Sequence, residues 1–281
     1  MMGKVQELTF ESPSFTKRLK GMLGVDFYRL FHTPMFYIFL AIAAIIPAMV
    51  SAMTMMPDAN GNTMEPMYSN VWQIIAATEP LYVINTIADY ANMNMVFIFG
   101  GIMVSIFIGH DYKSGYVKQL FTTHAKKQDY MMSKSMVCAF ALACMCVTYF
   151  IGGTVGGLLV GYSTTVNAGS LILAILGKMV MSLGWASLYT FLNVIFRRYF
   201  GVSIASSFFF GTGILIIGVA AVVENLALPT SFLNIFLYGS SVNACLTSSI
   251  GTFLTCVAVS VAWAVIYNVA GTRLLYKSDV Y

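Results

Sequence analysis

Six apolar stretches, separated by short polar segments, divide the chain: residues 35–56, 93–109, 136–161, 171–196, 201–223 and 250–275. A helix that crosses the hydrocarbon core needs about 20 largely apolar residues, whereas a membrane β-strand needs about ten that alternate in polarity. These stretches do not alternate and run about twice a strand's length, so they predict crossing helices. The second is short and recruits residues from Asp89 onward. Ahead of the first lies a different pattern. In residues 14–32, Phe15, Leu19, Met22, Leu23, Phe27, Leu30 and Phe31 recur at helical spacing among Lys17, Arg18, Lys20 and Arg29. This predicts an amphipathic helix lying along the membrane surface until Pro34 turns the chain into the bilayer. It serves either as a plain anchor or as a docking surface.

Composition supports the pattern. The 281 residues are 58% hydrophobic and only 9% charged, against about 25% charged in an ordinary soluble domain. Too few charges are present to cover a soluble surface, and the chain is too apolar for disorder. The first apolar stretch is too long for a signal-peptide core, and no cleavable signal is expected.

The distribution of charge predicts orientation. Lys4, Lys17, Arg18, Lys20 and Arg29 precede the first stretch, and Lys113, Lys118, Lys126, Lys127 and Lys134 follow the second. Arg197 and Arg198 follow the fourth, and Arg273 and Lys277 close the last. Fourteen of the 15 basic residues thus fall on one side of a six-span arrangement, which the positive-inside rule makes cytoplasmic. Asp58, Glu65, Glu79 and Glu224 fall on the other side. The expected fold is an all-α polytopic membrane protein in the plasma membrane, with both termini cytoplasmic. It comprises a tail with its interfacial helix (1–34), a six-helix transmembrane domain (35–275) and a short C-terminal tail (276–281). Within it lie an inner loop (110–134) and an outer segment (224–249). That segment is too apolar for a free loop and reads as short helices that dip back toward the membrane.

The inner loop is the most informative segment. It reads His110-Asp111-Tyr112-Lys113-Ser114-Gly115-Tyr116-Val117-Lys118-Gln119-Leu120-Phe121. Tyr112, Tyr116, Leu120 and Phe121 form one apolar edge of a short helix, with Asp111 at its start, where a carboxylate suits the helix dipole. Such a helix between two spans suits a groove on another protein; a solvated basic loop is the plainer alternative.

The acidic-aromatic-x-x-Gly start, Lys118-x-x-Phe121, Lys126-Lys127 and the Ser133-Lys134 that opens the third stretch resemble a type 2 ABC exporter permease. The N-terminal amphipathic helix and six spans fit the same plan. In that family the loop carries a coupling helix that docks on the ATP-binding subunit. The resemblance implies that Asp111, Tyr112, Gly115, Tyr116, Lys118, Leu120 and Phe121 form the partner contact, and that a second permease chain completes the path. Lys126-Lys127 departs from the lone Arg common in the family. No G-x-x-x-x-G-K-[ST] occurs, so no phosphate-cradling loop is present; ATP and Mg are expected on the partner, and no nucleic-acid partner is expected.

Polar residues inside the spans raise further candidates. Lys178 interrupts the fourth stretch and reads either as a site facing the interior or as a side chain snorkelling to the outer interface. Glu224 is a candidate ion-pair partner for it, and Asn193 and Asn268 read as interhelical bonds or pathway residues. Gly152, Gly153, Gly156, Gly157 and Gly161 predict close helix packing. The five cysteines offer no outer pair for a disulfide and read as small packing residues. The rival functions are an intramembrane protease or acyltransferase, and an ATP-independent carrier or channel. The three histidines lie at the cytoplasmic edge, and no carboxylate pair sits inside neighbouring spans, so neither rival finds its expected residues.

Overall fold

A computed structural model describes residues 13–57, 64–66, 70–76, 95–122, 125–165, 167–226 and 229–277. The amphipathic segment forms α1 (Phe15–Phe31), and Thr33 breaks the helix before α2 (Pro34–Met53). Proline suits that first position because its missing N–H would be unbonded there in any case. Two three-residue strands, β1 (Met55–Pro57) and β2 (Met64–Pro66), pair antiparallel beyond α2, followed by the short α3 (Trp72–Ile75). Asp58, Glu79 and Asp89 lie outside the described residues.

Four further long helices follow: α4 (Met95–Lys113), α6 (Lys127–Val160), α7 (Ala168–Ile195) and α11 (Ile250–Lys277), with the short α5 (Tyr116–Thr122) between α4 and α6. Together with α2, five helices among the described residues are long and apolar enough to cross a membrane. The chain is therefore an all-α, multi-pass membrane protein. At its centre is α6, which packs against α1, α2, α4, α7 and α11. Its 34 residues rise about 51 Å, well beyond the roughly 30 Å of a hydrocarbon core. It begins nine residues before the expected stretch, and the added turns carry Asp129, Ser133 and Lys134.

The glycine pattern of the third stretch is used within the chain. Side chains at Gly152 and Gly156 would collide with Ala44 and Ala48 of α2, so these glycines let the two backbones meet.

The fifth stretch does not form one helix. It divides into α8 (Phe200–Gly211) and α9 (Ile214–Asn225) at Thr212-Gly213, where Gly213 has φ +72°. An L-residue there costs about 1–2 kcal/mol, and Tyr238 fills the space that a side chain would need. Each half, 12 residues long, rises only about 18 Å and is too short to cross alone. The outer segment then forms a 3-10 turn (Thr230–Ile235) and α10 (Leu237–Val242), with α10 buried against α7 and α11. Trp263 of α11 donates to the Ile235 carbonyl at 2.8 Å and fastens this segment to the last helix.

Candidate functional site

Contacts gather the basic ends of the helices on one side of the bundle. Lys127 Nζ at the start of α6 donates to the Leu275 carbonyl near the end of α11 at 2.6 Å. Lys113 at the end of α4 lies 4.7 Å from the ring centre of Phe200, which opens α8.

Within this end lies a buried charge network. Lys134 is fully buried, and its Nζ is 2.6 Å from both Asp26 Oδ1 of α1 and Asp111 Oδ2 of α4. Arg29, one helical turn after Asp26, pairs with Asp111 and lies 4.0 Å from Asp26. Ser133 Oγ donates to the other oxygen of Asp26 at 2.6 Å. Two cations thus balance two carboxylates, and the aromatic faces of Phe107 and Tyr116 close over them: Lys134 is 4.8 Å from the first ring centre, and Arg29 is 4.2 Å from the second. Burial opposes the charge on Arg29, but the hydrogen bond and charge of Asp111 outweigh it and raise its pKa above the ordinary guanidinium value. A second pair, Arg18 with Asp129 at 2.8 Å, again joins α1 to α6.

The members come from three elements, α1, α4 and α6, so the network ties the N-terminal helix, the elbow before α5 and the start of α6 into one unit. This changes the role of Asp111. The expectation was a carboxylate opening the short helix. The chain instead carries Asp111 in the last turn of α4, fully buried, while α5 begins at Tyr116 after a turn at Gly115 with φ +73°. A carboxylate at a helix C-terminus is disfavoured by the dipole; here Lys134 and Arg29 compensate it.

The apolar edge of the loop also turns inward. Val117 is buried, Tyr112, Tyr116, Leu120 and Phe121 are half-buried, and the Phe121 ring meets Tyr130 edge-on at 5.7 Å. What α5 and its approach present outward is Lys113, Ser114, Lys118, Gln119 and Thr122. His124 lies outside the described residues.

The other candidates are not brought to this end as a group. Lys178 is enclosed in the protein, at 5% exposure, with Cys146, Cys245 and Cys256 in its electrostatic surroundings. The snorkelling alternative, a stem laid along the surface, is not what the fold shows. Glu224 stands in α9, but its side chain is outside the described ones. Asn193 is buried and holds three helices together. Its amide donates to Ser105 Oγ of α4 at 3.1 Å and accepts from Ser203 Oγ of α8 at 2.5 Å. Ser105 in turn meets Ser207 at 2.7 Å. Asn268 accepts from Ser135 at 2.9 Å and donates to Ser187 at 3.2 Å.

Asp26 and Arg29 were missed as site residues. The available signal was a lone acidic residue on an otherwise basic amphipathic helix, three positions before an arginine.

Among the described residues, no three His, Cys, Asp or Glu side chains converge as metal ligands. No family model and no curated protein sequence matches the chain.

Proposed function

We propose that this chain is the permease subunit of an ATP-driven exporter of the type 2 ABC class. A second permease chain completes the path, and separate ATP-binding subunits supply the energy. One observation carries the reading: a short helix with an exposed polar face, α5, stands between two long membrane helices at the basic end of the bundle. Behind it, Asp111 is clamped by Lys134 and Arg29. A push on α5 would move the end of α4, the start of α6 and α1 together, because breaking the clamp would strand a buried charge.

In this reading the basic end is cytoplasmic by the positive-inside rule, and α8 with α9 forms one interrupted sixth crossing, its break covered by Tyr238. The exposed Lys113, Lys118 and Gln119 meet the partner. Tyr112, Tyr116, Leu120 and Phe121 hold α5 on its seat. An amphipathic peptide or a hydrophobic drug-like molecule is the cargo that suits so apolar a path.

The test is purification of the tagged chain from its own cells. The expected result is a complex with a P-loop ATPase, with no ATP hydrolysis by the chain alone. ATPase activity in the isolated chain, or absence of any nucleotide-binding partner after gentle crosslinking, overturns the assignment.

A further inference from the structure

A groove of about 620 Å³ runs between α6, α7 and α11 at the basic end of the bundle, within the roughly 300–1,000 Å³ range of ligand sites. Its chemistry changes along its length. From Val261 through Val265 to Val269 the α11 wall is apolar and exposed. The bonded Ser135 and Asn268 pair is at its floor. At the basic end the lining becomes Gln128, Thr272, Arg273 and Tyr276. The stretch of α11 from Val261 to Tyr276 rises about 22 Å. That matches half of a bilayer's roughly 40–45 Å including headgroups. The polar mouth therefore stands at headgroup depth when the apolar end stands near the midplane.

The mouth is also positively charged. Arg273 is exposed and makes no ion pair among the described residues. Lys127 Nζ lies 5.4 Å from the ring centre of the exposed Tyr276, which lines the mouth. A guanidinium and a side-chain amide at one end of an acyl-length apolar trough match a phosphate followed by hydrocarbon.

We propose that this groove binds one anionic phospholipid from the leaflet facing the basic end. Its phosphate rests on Arg273 and Gln128, and an acyl chain lies along Val261, Val265 and Val269. The proposal requires that the chain sit in a membrane, and it does not depend on the ATPase partner.

The test titrates the full chain, purified in neutral detergent, with phosphatidylglycerol, phosphatidylcholine and sodium phosphate, read by native mass spectrometry. One phosphatidylglycerol per chain is expected, held about fivefold more tightly than phosphatidylcholine, the value of one basic contact near a membrane surface. R273Q should abolish the preference. V265W, at a position 57% exposed and so tolerant of bulk, should release the lipid. R198Q, an exposed arginine outside the lining, should change neither. Equal retention of the two lipids overturns the proposal, as does a preference that survives R273Q or falls equally in R198Q. Lipid retention in V265W, or release of phosphatidylglycerol by phosphate alone, overturns it too. Conversion of a dimer to a monomer by V265W would assign the groove to a second copy instead.

Discussion

Two buried polar clusters hold helices together in this protein by different means. At the basic end, Asp26, Arg29, Asp111 and Lys134 use full charges to join α1, α4 and α6. Farther along α4, Ser105, Asn193, Ser203 and Ser207 join α4, α7 and α8 through neutral hydroxyls and one amide. The difference lies in what happens when one member is lost. A neutral serine without its partner can turn back to its own helix carbonyl, as Thr190 does to Ala186 at 2.8 Å. A buried carboxylate or ammonium has no such refuge. The charged cluster is therefore brittle and moves as one piece, whereas the neutral one is forgiving. Brittleness suits a part that transmits force, and forgiveness suits ordinary packing.

The sharpest way to break this contrast is Lys134→Met. It leaves Asp26 and Asp111 facing each other with only Arg29 to compensate. A loss of about 3–5 kcal/mol is expected, as for a buried ion pair stripped of one partner. The measurement is denaturant titration of the purified protein in detergent. Adding Asp26→Leu to that variant leaves Arg29 with Asp111 as a balanced pair and should recover most of the loss. A single variant as stable as the native chain, or a double variant no better than the single, would show that the network is solvated and not brittle. Asn193→Leu comes next. It removes three hydrogen bonds but strands only hydroxyls, so about 0.6–1.7 kcal/mol is expected by the same titration. A loss equal to that of Lys134→Met would erase the distinction.

The two clusters were not equally legible in the sequence. Apolar run length reveals the long helices, because crossing hydrocarbon demands about 20 residues whatever the tertiary packing. It cannot reveal that 201–223 breaks at Gly213, since a glycine inside an apolar run is as compatible with a helix as with a break, and Tyr238 from elsewhere decides the matter. Asn193 and Lys178 stand out as polar residues in apolar surroundings, but their partners come from helices whose rotation the sequence does not state. The charge network was hidden for another reason. Its cations also mark orientation, which by itself says nothing of a pairing, and an acid on a basic amphipathic helix is as compatible with solvent as with burial. Asp111 suits a helix start by its charge, but the positive φ of Gly115 moves the start of the short helix to Tyr116 and leaves Asp111 in the last turn of α4. Only the long-range pairing of Asp26 with Lys134, 108 positions apart, turns these separate charges into one device.

Lys118→Glu is the smallest change in stability and the most direct probe of why the brittle cluster exists. Lys118 is exposed on α5 and belongs to neither cluster, so folding should shift by no more than about 0.5 kcal/mol. If α5 is the surface that meets a motor subunit, charge reversal there should nevertheless weaken co-purification of the ATPase, and more so at low salt, because a rim charge acts over roughly a Debye length. Lys134→Met would then have the opposite profile: large loss of stability, with the outward face of α5 unchanged. Unaltered ATPase binding and transport in Lys118→Glu would detach the exposed face of α5 from any partner. The network would then be a device for seating α1 on the bundle. Reduced binding with native stability would separate the two jobs physically, with a docking face on α5 that can be altered freely and a charged lock between α1, α4 and α6 that cannot.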